Sequence, residues 1–355
     1  MNAARPAPFT QDDLPGRVVY GRGAAHNELA AELARLGVRR VMLVATPGGM
    51  PLAQHLTLSL KDLVVCAFDG VRPHVPYETV VEARLLAEQY ENDAVLCVGG
   101  GSAVGTAKMM ALTRRVPVVA VPTTYSGSEV TPIWGTTISG AKRTGRDVHV
   151  RPQVVVYDPE LLKTLPAPFA MASGLNAVAH CVESLWLSDA PAVRLFAAEG
   201  VAALARGLRT LATGEDGSDH LLYGAYLAGT AFAAAGSGLH HLICHVLGGA
   251  FNLPHAETHA AVLPHVLAFN ATAVQDRLAV LADALKADHP VTGLSRLYED
   301  IAAPRSLAAL GLTAQQIPRA IELVQASPPV RNPRPVEPDQ VRAIITAAHE
   351  GRGYR

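Results

Sequence analysis

The sequence predicts an N-terminal α/β domain with a doubly wound parallel sheet, followed by an all-α C-terminal domain. Short apolar runs alternate with helical segments up to Asp158, and no strand-like run follows that residue. Strands that are apolar on both faces are typical of a parallel sheet covered by helices on both sides. A chain of 355 residues has room for two domains. We place the boundary near Asp158, which gives domains 1–158 and 159–355.

The elements of the first domain follow from apolar runs that end at turn residues. Gly37 is expected to end the first helix as its C-terminal cap. The predicted strands are 17–20, 41–44, 64–68, 94–98, 116–121 and 154–157, and the predicted helices are 27–36, 77–90 and a segment from Ser102 to Thr113.

The second domain consists of alanine- and leucine-rich segments with helical periodicity. Ile317, Ile321 and Val324, for example, recur at a spacing that places them on one helix face. The predicted helices are 168–187, 192–212, 219–235, 238–249, 256–270, 274–286, 292–302, 314–326 and 337–349.

The composition argues against several classes of partner. Lys plus Arg (30) nearly equal Asp plus Glu (31), whereas nucleic-acid binders need a clustered basic surface. No apolar run approaches the ~20 residues that span a membrane, and residues 1–6 lack the apolar stretch of a signal peptide. The four cysteines are scattered, which fits a reducing compartment. We therefore expect a cytoplasmic protein that binds neither nucleic acid nor membranes.

Three glycines and a serine form a candidate phosphate-binding loop. Gly99, Gly100, Gly101 and Ser102 stand where an apolar strand passes into a helix. The N–H groups and partial positive charge of a helix N-terminus attract phosphate, and glycines let the backbone approach it. Ser102 can either cap the helix or donate to a phosphate oxygen. The pattern differs from the GxGxxG fingerprint, and a plain tight turn is the alternative.

A second polar loop follows the next strand. Its Thr123, Thr124, Ser126 and Ser128 are candidates to bind pyrophosphate, ribose or nicotinamide, although an ordinary polar loop explains the same residues equally well. Ligands of open parallel sheets bind at the carboxyl ends of the strands, where Thr46 also lies. Thr46 neither holds ribose hydroxyls as a carboxylate does nor repels a 2′-phosphate. It therefore indicates use of both NADH and NADPH.

Histidine is concentrated in one part of the chain, since eight of 14 fall between residues 180 and 265. Asn176 and His180 share a helix face, His241 and His245 form another i, i+4 pair, and His255 begins the next helix. Such histidines can hold a metal, but Asn176 is a neutral amide and a poor ligand for hard metals. Without a metal, the same imidazoles serve as hydrogen-bond donors or general acids.

Over essentially its whole length the chain resembles the iron-dependent (group III) alcohol dehydrogenase superfamily, and within it the maleylacetate reductases. The matching segments agree in order and spacing. They are 99–102 with Lys108, 122–124 with 127–129, 174–183, 241–249, 254–255 and 263–266. The resemblance implies a dinucleotide-binding N-terminal domain and a helical catalytic domain, an architecture shared with dehydroquinate synthase.

Two departures from the alcohol dehydrogenases match the maleylacetate reductase branch. Asn176 and Gly105 stand where the alcohol dehydrogenases have aspartates. The implied activity is reduction of the carbon–carbon double bond of 2-maleylacetate to 3-oxoadipate by NADH or NADPH, in bacterial breakdown of aromatics through hydroxyquinol or chlorocatechol. The family also suggests a homodimer. Its metal positions, here Asn176, His180, His241 and His255, are expected to be vestigial, with no metal required.

The implied reaction assigns roles to particular residues. Conjugate hydride transfer to an enone places negative charge on the ketone oxygen, which needs hydrogen-bond donors. The Asn176 amide and the imidazoles of His180, His241 and His255 are the candidates. His245 resembles a position beside the substrate and is the preferred proton donor, with His241 as the alternative.

The dicarboxylate substrate also calls for cations. Arg143 and Arg146 are candidates, because a guanidinium binds a carboxylate through two hydrogen bonds. A solvated hairpin is the alternative explanation of this basic run.

Three other functions are alternatives to the implied reductase activity. The first is a metal-dependent alcohol or polyol dehydrogenase of the same superfamily. The second is a lyase or cyclase on the dehydroquinate synthase scaffold, and the third is a nucleotide-binding protein without catalysis. Metal content and oxidation of simple alcohols distinguish the first of these from a reductase.

Overall fold

The computed structural model describes residues 9–11, 16–139 and 141–352. Residues 1–6, on which the prediction of no signal peptide rests, lie outside this part of the chain. The chain divides into two compact units, one ending at Leu165 and the other beginning at Pro166. The first unit is α/β and the second is helical, which confirms the predicted fold class.

The described residues of the first unit form a main sheet of seven strands. They are β1 (Phe9–Gln11), β2 (Arg17–Tyr20), β3 (Val41–Val44), β4 (Val64–Phe68), β5 (Ala94–Gly99), β6 (Val118–Pro122) and, after a separate hairpin, β9 (Val154–Tyr157). Their spatial order is β1-β2-β9-β6-β5-β3-β4. Among the strand pairs of the described residues, the β1–β2 pair alone is antiparallel in this sheet, so the predicted parallel sheet is confirmed.

The hairpin consists of β7 (Ile133–Ile138) and β8 (Ala141–Arg146), which pair antiparallel. Strands β1, β7 and β8 are absent from the predicted set. Since β7 and β8 are largely half-buried or exposed, they lack the continuous apolar run by which the other strands were recognised. The basic run 142–146 therefore lies on a hairpin strand.

Helices cover both faces of the sheet. They are α1 (Ala24–Asn27), α2 (Leu29–Leu36), α3 (Met50–Leu56), α4 (Tyr77–Gln89) and α5 (Gly101–Arg114). In β3, Val41 and Leu43 belong to one apolar core, whereas Met42 and Val44 belong to a second core on the opposite face. The predicted helix 27–36 corresponds to α2, and Gly37 ends it with a φ of 70° as expected. The short helices α1 and α3 are absent from the predicted set.

The second unit contains nine α-helices within residues 166–352, the part that the structure describes, and no strand. They are α6 (Ala167–Leu187), α7 (Pro191–Ala212), α8 (Ser218–Ala235), α9 (Leu239–Phe251), α10 (His255–Ala271), α11 (Gln275–Leu285), α12 (Pro290–Asp300), α13 (Ile317–Gln325) and α14 (Pro338–Glu350). Each lies close to a predicted segment, because its buried face repeats at helical spacing. Among the described residues, no helix is long and apolar enough to cross a membrane.

Candidate active site

The strand order creates a topological switch point beside β3. From β3 the chain continues to β4 on one side and then crosses to β5 on the other. In open α/β sheets such a point leaves a crevice at the carboxyl ends of the two strands, where ligands bind. Thr46 follows β3 and the 99–102 loop follows β5. Two of the three predicted cofactor-binding regions therefore flank this crevice.

A close contact at Gly100 joins the glycine loop to the second polar loop. A Cβ atom at Gly100 would lie 2.7 Å from Thr124 Cγ2, closer than side chains allow. The N–H of Thr123 donates to the Gly99 carbonyl at 3.1 Å. Helix α5 begins at Gly101 with Gly100 as N-cap and without a side-chain cap, so Ser102 does not cap it. The first-turn N–H groups, which have no carbonyl partner within a helix, suit a phosphate.

The other polar side chains of the candidate cofactor site also position the loops. Ser126 Oγ donates to Glu129 Oε2 at 3.3 Å, and Ser128 accepts from Lys108 Nζ through its Oγ at 3.3 Å and through its carbonyl at 2.6 Å. Thr46 Oγ1 accepts the Gly49 N–H at 3.1 Å, which leaves its hydroxyl hydrogen to donate elsewhere.

Lys108 is completely buried and hydrogen-bonds to the second polar loop. Its Nζ also donates to the Ile133 carbonyl at 2.8 Å and to Thr131 Oγ1 at 3.0 Å. Burial lowers the pKa of Lys108 to about 7, against the opposing effect of the Glu129 carboxylate. Burial raises the pKa of Glu129, whose Oε1 accepts from Tyr157 at 2.8 Å. This buried network fixes the loop that carries Ser126 and Ser128.

Gly105 is packed against Val75, and we predict that Gly105→Asp destabilises the protein. A Cβ atom there would lie 2.7 Å from Val75 Cγ2. Val75 cannot retreat easily, because its carbonyl accepts from Thr136 Oγ1 at 2.7 Å and its φ of 53° is already strained. We expect a loss of ~1–3 kcal/mol in the free energy of unfolding, measured by denaturant titration.

The matched control is Gly48→Asp, because a Cβ atom at Gly48 meets no atom within 4 Å. We expect a change of no more than ~0.5 kcal/mol there. Equal losses at the two positions would show that the Val75 contact does not restrict residue 105.

The two arginines proposed for the substrate carboxylates lie on β8. Arg143 pairs with Thr136 and Arg146 with Ile133, and both arginine side chains are exposed. Because side chains alternate along a strand, residues three apart point to opposite faces of the hairpin. A single carboxylate therefore cannot be bound by both. Lys142 is the cation on the same face as Arg146.

Three helices of the second unit bring six histidines together. His180 lies on α6, His240, His241 and His245 on α9, and His255 and His259 on α10. The rings of His180 and His241 stack with centroids 5.0 Å apart, and His245 lies 5.9 Å from His241 and 6.0 Å from His255. The four predicted histidine positions thus belong to one cluster. Two further members, His240 and His259, were given no role by the sequence analysis.

The cluster runs from an exposed edge to a buried interior. His255 is exposed and His245 half-buried, whereas Asn176, His180 and His241 are buried. Among the described residues, Asn176 Oδ1 and His180 Nδ1 have no hydrogen-bond partner. Burial lowers the pKa of His180 to about 3, so its imidazole is neutral at pH 7. Buried polar atoms of this kind normally have partners, which makes these two candidates for ligand contact.

Glu183 fixes the orientation of His241. Its carboxylate is completely buried, and Oε2 lies 2.5 Å from His241 Nδ1 while Oε1 accepts the His240 N–H at 3.0 Å. Burial raises the pKa of Glu183 to about 7, and burial lowers that of His241 well below its usual value. When His241 donates from Nδ1, its Nε2 carries a lone pair and cannot donate.

Both halves of the chain match family models. Residues 15–159 match the model described as iron-containing alcohol dehydrogenase, and residues 170–349 match that of the Fe-containing alcohol dehydrogenase family, C-terminal.

Individual proteins match over nearly the whole chain. The maleylacetate reductase of Sphingobium indicum is 44% identical over 97% of this chain and 98% of its own, and that of Delftia acidovorans is 41% identical over the same shares. Among solved structures, the maleylacetate reductase of Rhizobium sp. strain MTP-10005 superposes with a TM-score of 0.90 at 39% identity, covering 97% of this chain and 99% of that one. An iron-containing alcohol dehydrogenase of Corynebacterium glutamicum gives a TM-score of 0.90 at 43% identity, covering 97% of each chain.

Proposed function

This chain belongs to the iron-containing alcohol dehydrogenase family, and from that membership we propose that it acts as a maleylacetate reductase. It reduces the carbon–carbon double bond of 2-maleylacetate to give 3-oxoadipate, with NADH or NADPH as reductant, in the breakdown of aromatics through hydroxyquinol or chlorocatechol. The observation that carries this proposal is the 44% identity to a maleylacetate reductase over 97% of the chain. A metal-dependent alcohol or polyol dehydrogenase is the less favoured function.

The substrate is an enone with a carboxylate at each end. Hydride from the nicotinamide adds to the carbon β to the ketone, the electron pair of the double bond moves toward the ketone, and an enolate forms. Protonation of the carbon next to the ketone completes the reduction. The protein must therefore hold a dinucleotide, stabilise an enolate oxygen and supply one proton.

We assign the dinucleotide to domain 1–158 and the chemistry to domain 159–355. Gly99, Gly100, Gly101 and Ser102 bind phosphate through the first turn of α5. Thr46, Thr123, Thr124, Ser126 and Ser128 contribute the other contacts to the cofactor. Support comes from the switch point beside β3 and from the contact of Gly100 with Thr124. Because Thr46 carries no charge, we propose that both NADH and NADPH are accepted.

The proton donor that we propose is His245. In its neutral form His241 donates its Nδ1 proton to Glu183 in a hydrogen bond. Its Nε2 then carries no proton that could be transferred to the substrate. His245 is half-buried and lies at the exposed side of the cluster, beside His255. The Asn176 amide, with His180 and His255, stabilises the enolate oxygen.

One cation of the β8 hairpin binds a substrate carboxylate in this proposal. Arg143 and Arg146 remain the candidates, but they act on opposite faces of the hairpin and so cannot act together on one group. The partner is in either case a small dicarboxylate, and we propose that the enzyme works as a cytoplasmic homodimer.

The residues at the family's iron positions, Asn176, His180, His241 and His255, do not form a suitable ligand set for iron. Asn176 supplies a neutral amide at a position where the alcohol dehydrogenases have a carboxylate, and an amide is the weaker ligand for Fe²⁺. Among the described residues, the three histidines whose ligand nitrogens lie within 4.8 Å of one another are His240, His241 and His259, a group without His180 and His255. We therefore propose that the reductase needs no iron.

The test is oxidation of NADH, followed by absorbance, with 2-maleylacetate and separately in reverse with simple alcohols and diols. We expect rapid oxidation of NADH by maleylacetate, equal rates before and after dialysis against a chelator, and no reduction of NAD⁺ by alcohols. Activity with alcohols that disappears with the chelator would instead establish the alcohol dehydrogenase function.

A further inference from the structure

His240, His241 and His259 lie in the interior of the cluster. The proposed reaction gives no role to His240 or His259. His240 and His259 are completely buried and His241 is 2% exposed. Their ring centroids are 4.8 Å (His241–His259), 4.9 Å (His240–His259) and 5.1 Å (His240–His241) apart. One ring nitrogen from each lies within 4.8 Å of the other two.

The hydrogen bonds of His240 and His241 follow the pattern of metal-binding histidines. A metal-binding imidazole donates from one nitrogen to a carboxylate or carbonyl and coordinates through the other. His240 Nε2 donates to the His259 carbonyl at 3.1 Å, and His241 Nδ1 is held by Glu183 at 2.5 Å. Within the part of the chain that the structure describes, the remaining nitrogens, His240 Nδ1 and His241 Nε2, have no partner.

His259 provides an independent observation. Neither of its ring nitrogens has a hydrogen-bond partner among the described residues, although the side chain is completely buried. Burying a polar group without a partner destabilises the folded chain, so an imidazole with two such atoms indicates a ligand that accepts their lone pair or proton.

We propose that His240, His241 and His259 form a binding site for a divalent transition-metal ion of the zinc class. Three imidazole nitrogens are a ligand set that zinc and cobalt accept, with metal–nitrogen bonds of about 2.0–2.1 Å for zinc. The Glu183 carboxylate, hydrogen-bonded to His241, offsets part of the ion's charge. This site shares only His241 with the positions that the family resemblance implies for iron.

The experiment is a titration of the chelator-treated full chain with Co²⁺, followed by visible absorption, with Zn²⁺ binding measured by calorimetry. The sample contains neither nucleotide nor substrate, so the result is independent of the proposed reductase activity. We expect one Co²⁺ ion to bind per chain and to give the intense visible absorption bands of cobalt with a low coordination number. One equivalent of Zn²⁺ should displace this ion and abolish the bands. Absence of these bands and of Zn²⁺ binding would overturn the proposal.

Two variants distinguish this site from the family positions. His259→Gln is expected to weaken Co²⁺ binding by at least ~10-fold, whereas His180→Gln leaves it unchanged. The opposite result, with loss only in His180→Gln, would place the ion in the family positions and overturn the proposal. Anomalous diffraction from Co²⁺-loaded wild-type crystals makes the same distinction if a variant fails to fold, since the ion lies either among His240, His241 and His259 or elsewhere.

Discussion

His245→Gln is expected to lower kcat for maleylacetate reduction by roughly 10²–10⁴-fold, the usual contribution of a general acid. Glutamine keeps a polar side chain of similar length but has no proton to transfer near neutral pH. His245 is the histidine of the cluster that combines partial exposure with a position on α9 one turn beyond His241. Protonation of the enolate would then depend on water.

Binding of NADH separates loss of the proton donor from loss of structure. We expect the NADH dissociation constant, measured by fluorescence, to change by less than about threefold, because the residues proposed to bind the cofactor lie on the first unit. His265→Gln, a replacement on α10 outside the proposed chemistry, serves as the control and should retain kcat. Turnover like that of the wild type in His245→Gln would remove His245 from the mechanism.

Mild acid is expected to unfold the protein, because its buried histidines resist protonation. Burial lowers the pKa of His180 to about 3 and of His240 and His265 to about 4, and it lowers those of His241 and His259 well below the usual value. Between pH 6.5 and 4 the unfolded chain binds protons at these positions and the native chain does not. The free energy of unfolding therefore falls as the pH falls.

Two buried glutamates act in the opposite direction. Burial raises the pKa values of Glu183, to about 7, and Glu129, so that the native chain gains these protons at a higher pH than the unfolded chain does. Where these seven groups all act, five histidines against two glutamates leave a net of about three protons, or roughly 4 kcal/mol per pH unit.

Denaturant titrations at pH 7.5, 6.5 and 5.5 measure this dependence, with pH values chosen around the ordinary histidine pKa of about 6.5. His265→Asn is the matched variant, and its slope should be smaller by up to about 1.4 kcal/mol per pH unit. A free energy of unfolding that stays constant or increases from pH 6.5 to 5.5 would contradict the account of a neutral, buried histidine cluster.

The parts of the molecule that could be predicted from the sequence are those in which local pattern and burial coincide. The six predicted strands are apolar on both faces, and the glycine loop lies where an apolar strand ends. The β7–β8 hairpin and the short helices α1 and α3 were missed, since the hairpin is polar and helices of four and seven residues show little periodicity.

In the candidate site, helical spacing identified pairs on one helix but not contacts between helices. His240 points about 100° away from His241 on α9, so its closeness to His259 arises only from the packing of α10. The Glu183–His241 hydrogen bond and the Lys108 network likewise join residues that are distant in sequence. The buried partners of a site depend on tertiary packing, which periodicity does not contain.

The position of the transferred hydride tests the central claim most directly. NADH carrying deuterium at the transferred position is incubated with enzyme and 2-maleylacetate, and the product is analysed by NMR. Conjugate reduction predicts 3-oxoadipate with one deuterium on the methylene β to the ketone, a carbon that does not exchange with water. Deuterium on a carbinol carbon of a hydroxy acid would show carbonyl reduction, the chemistry of an alcohol dehydrogenase, and would contradict the proposed function.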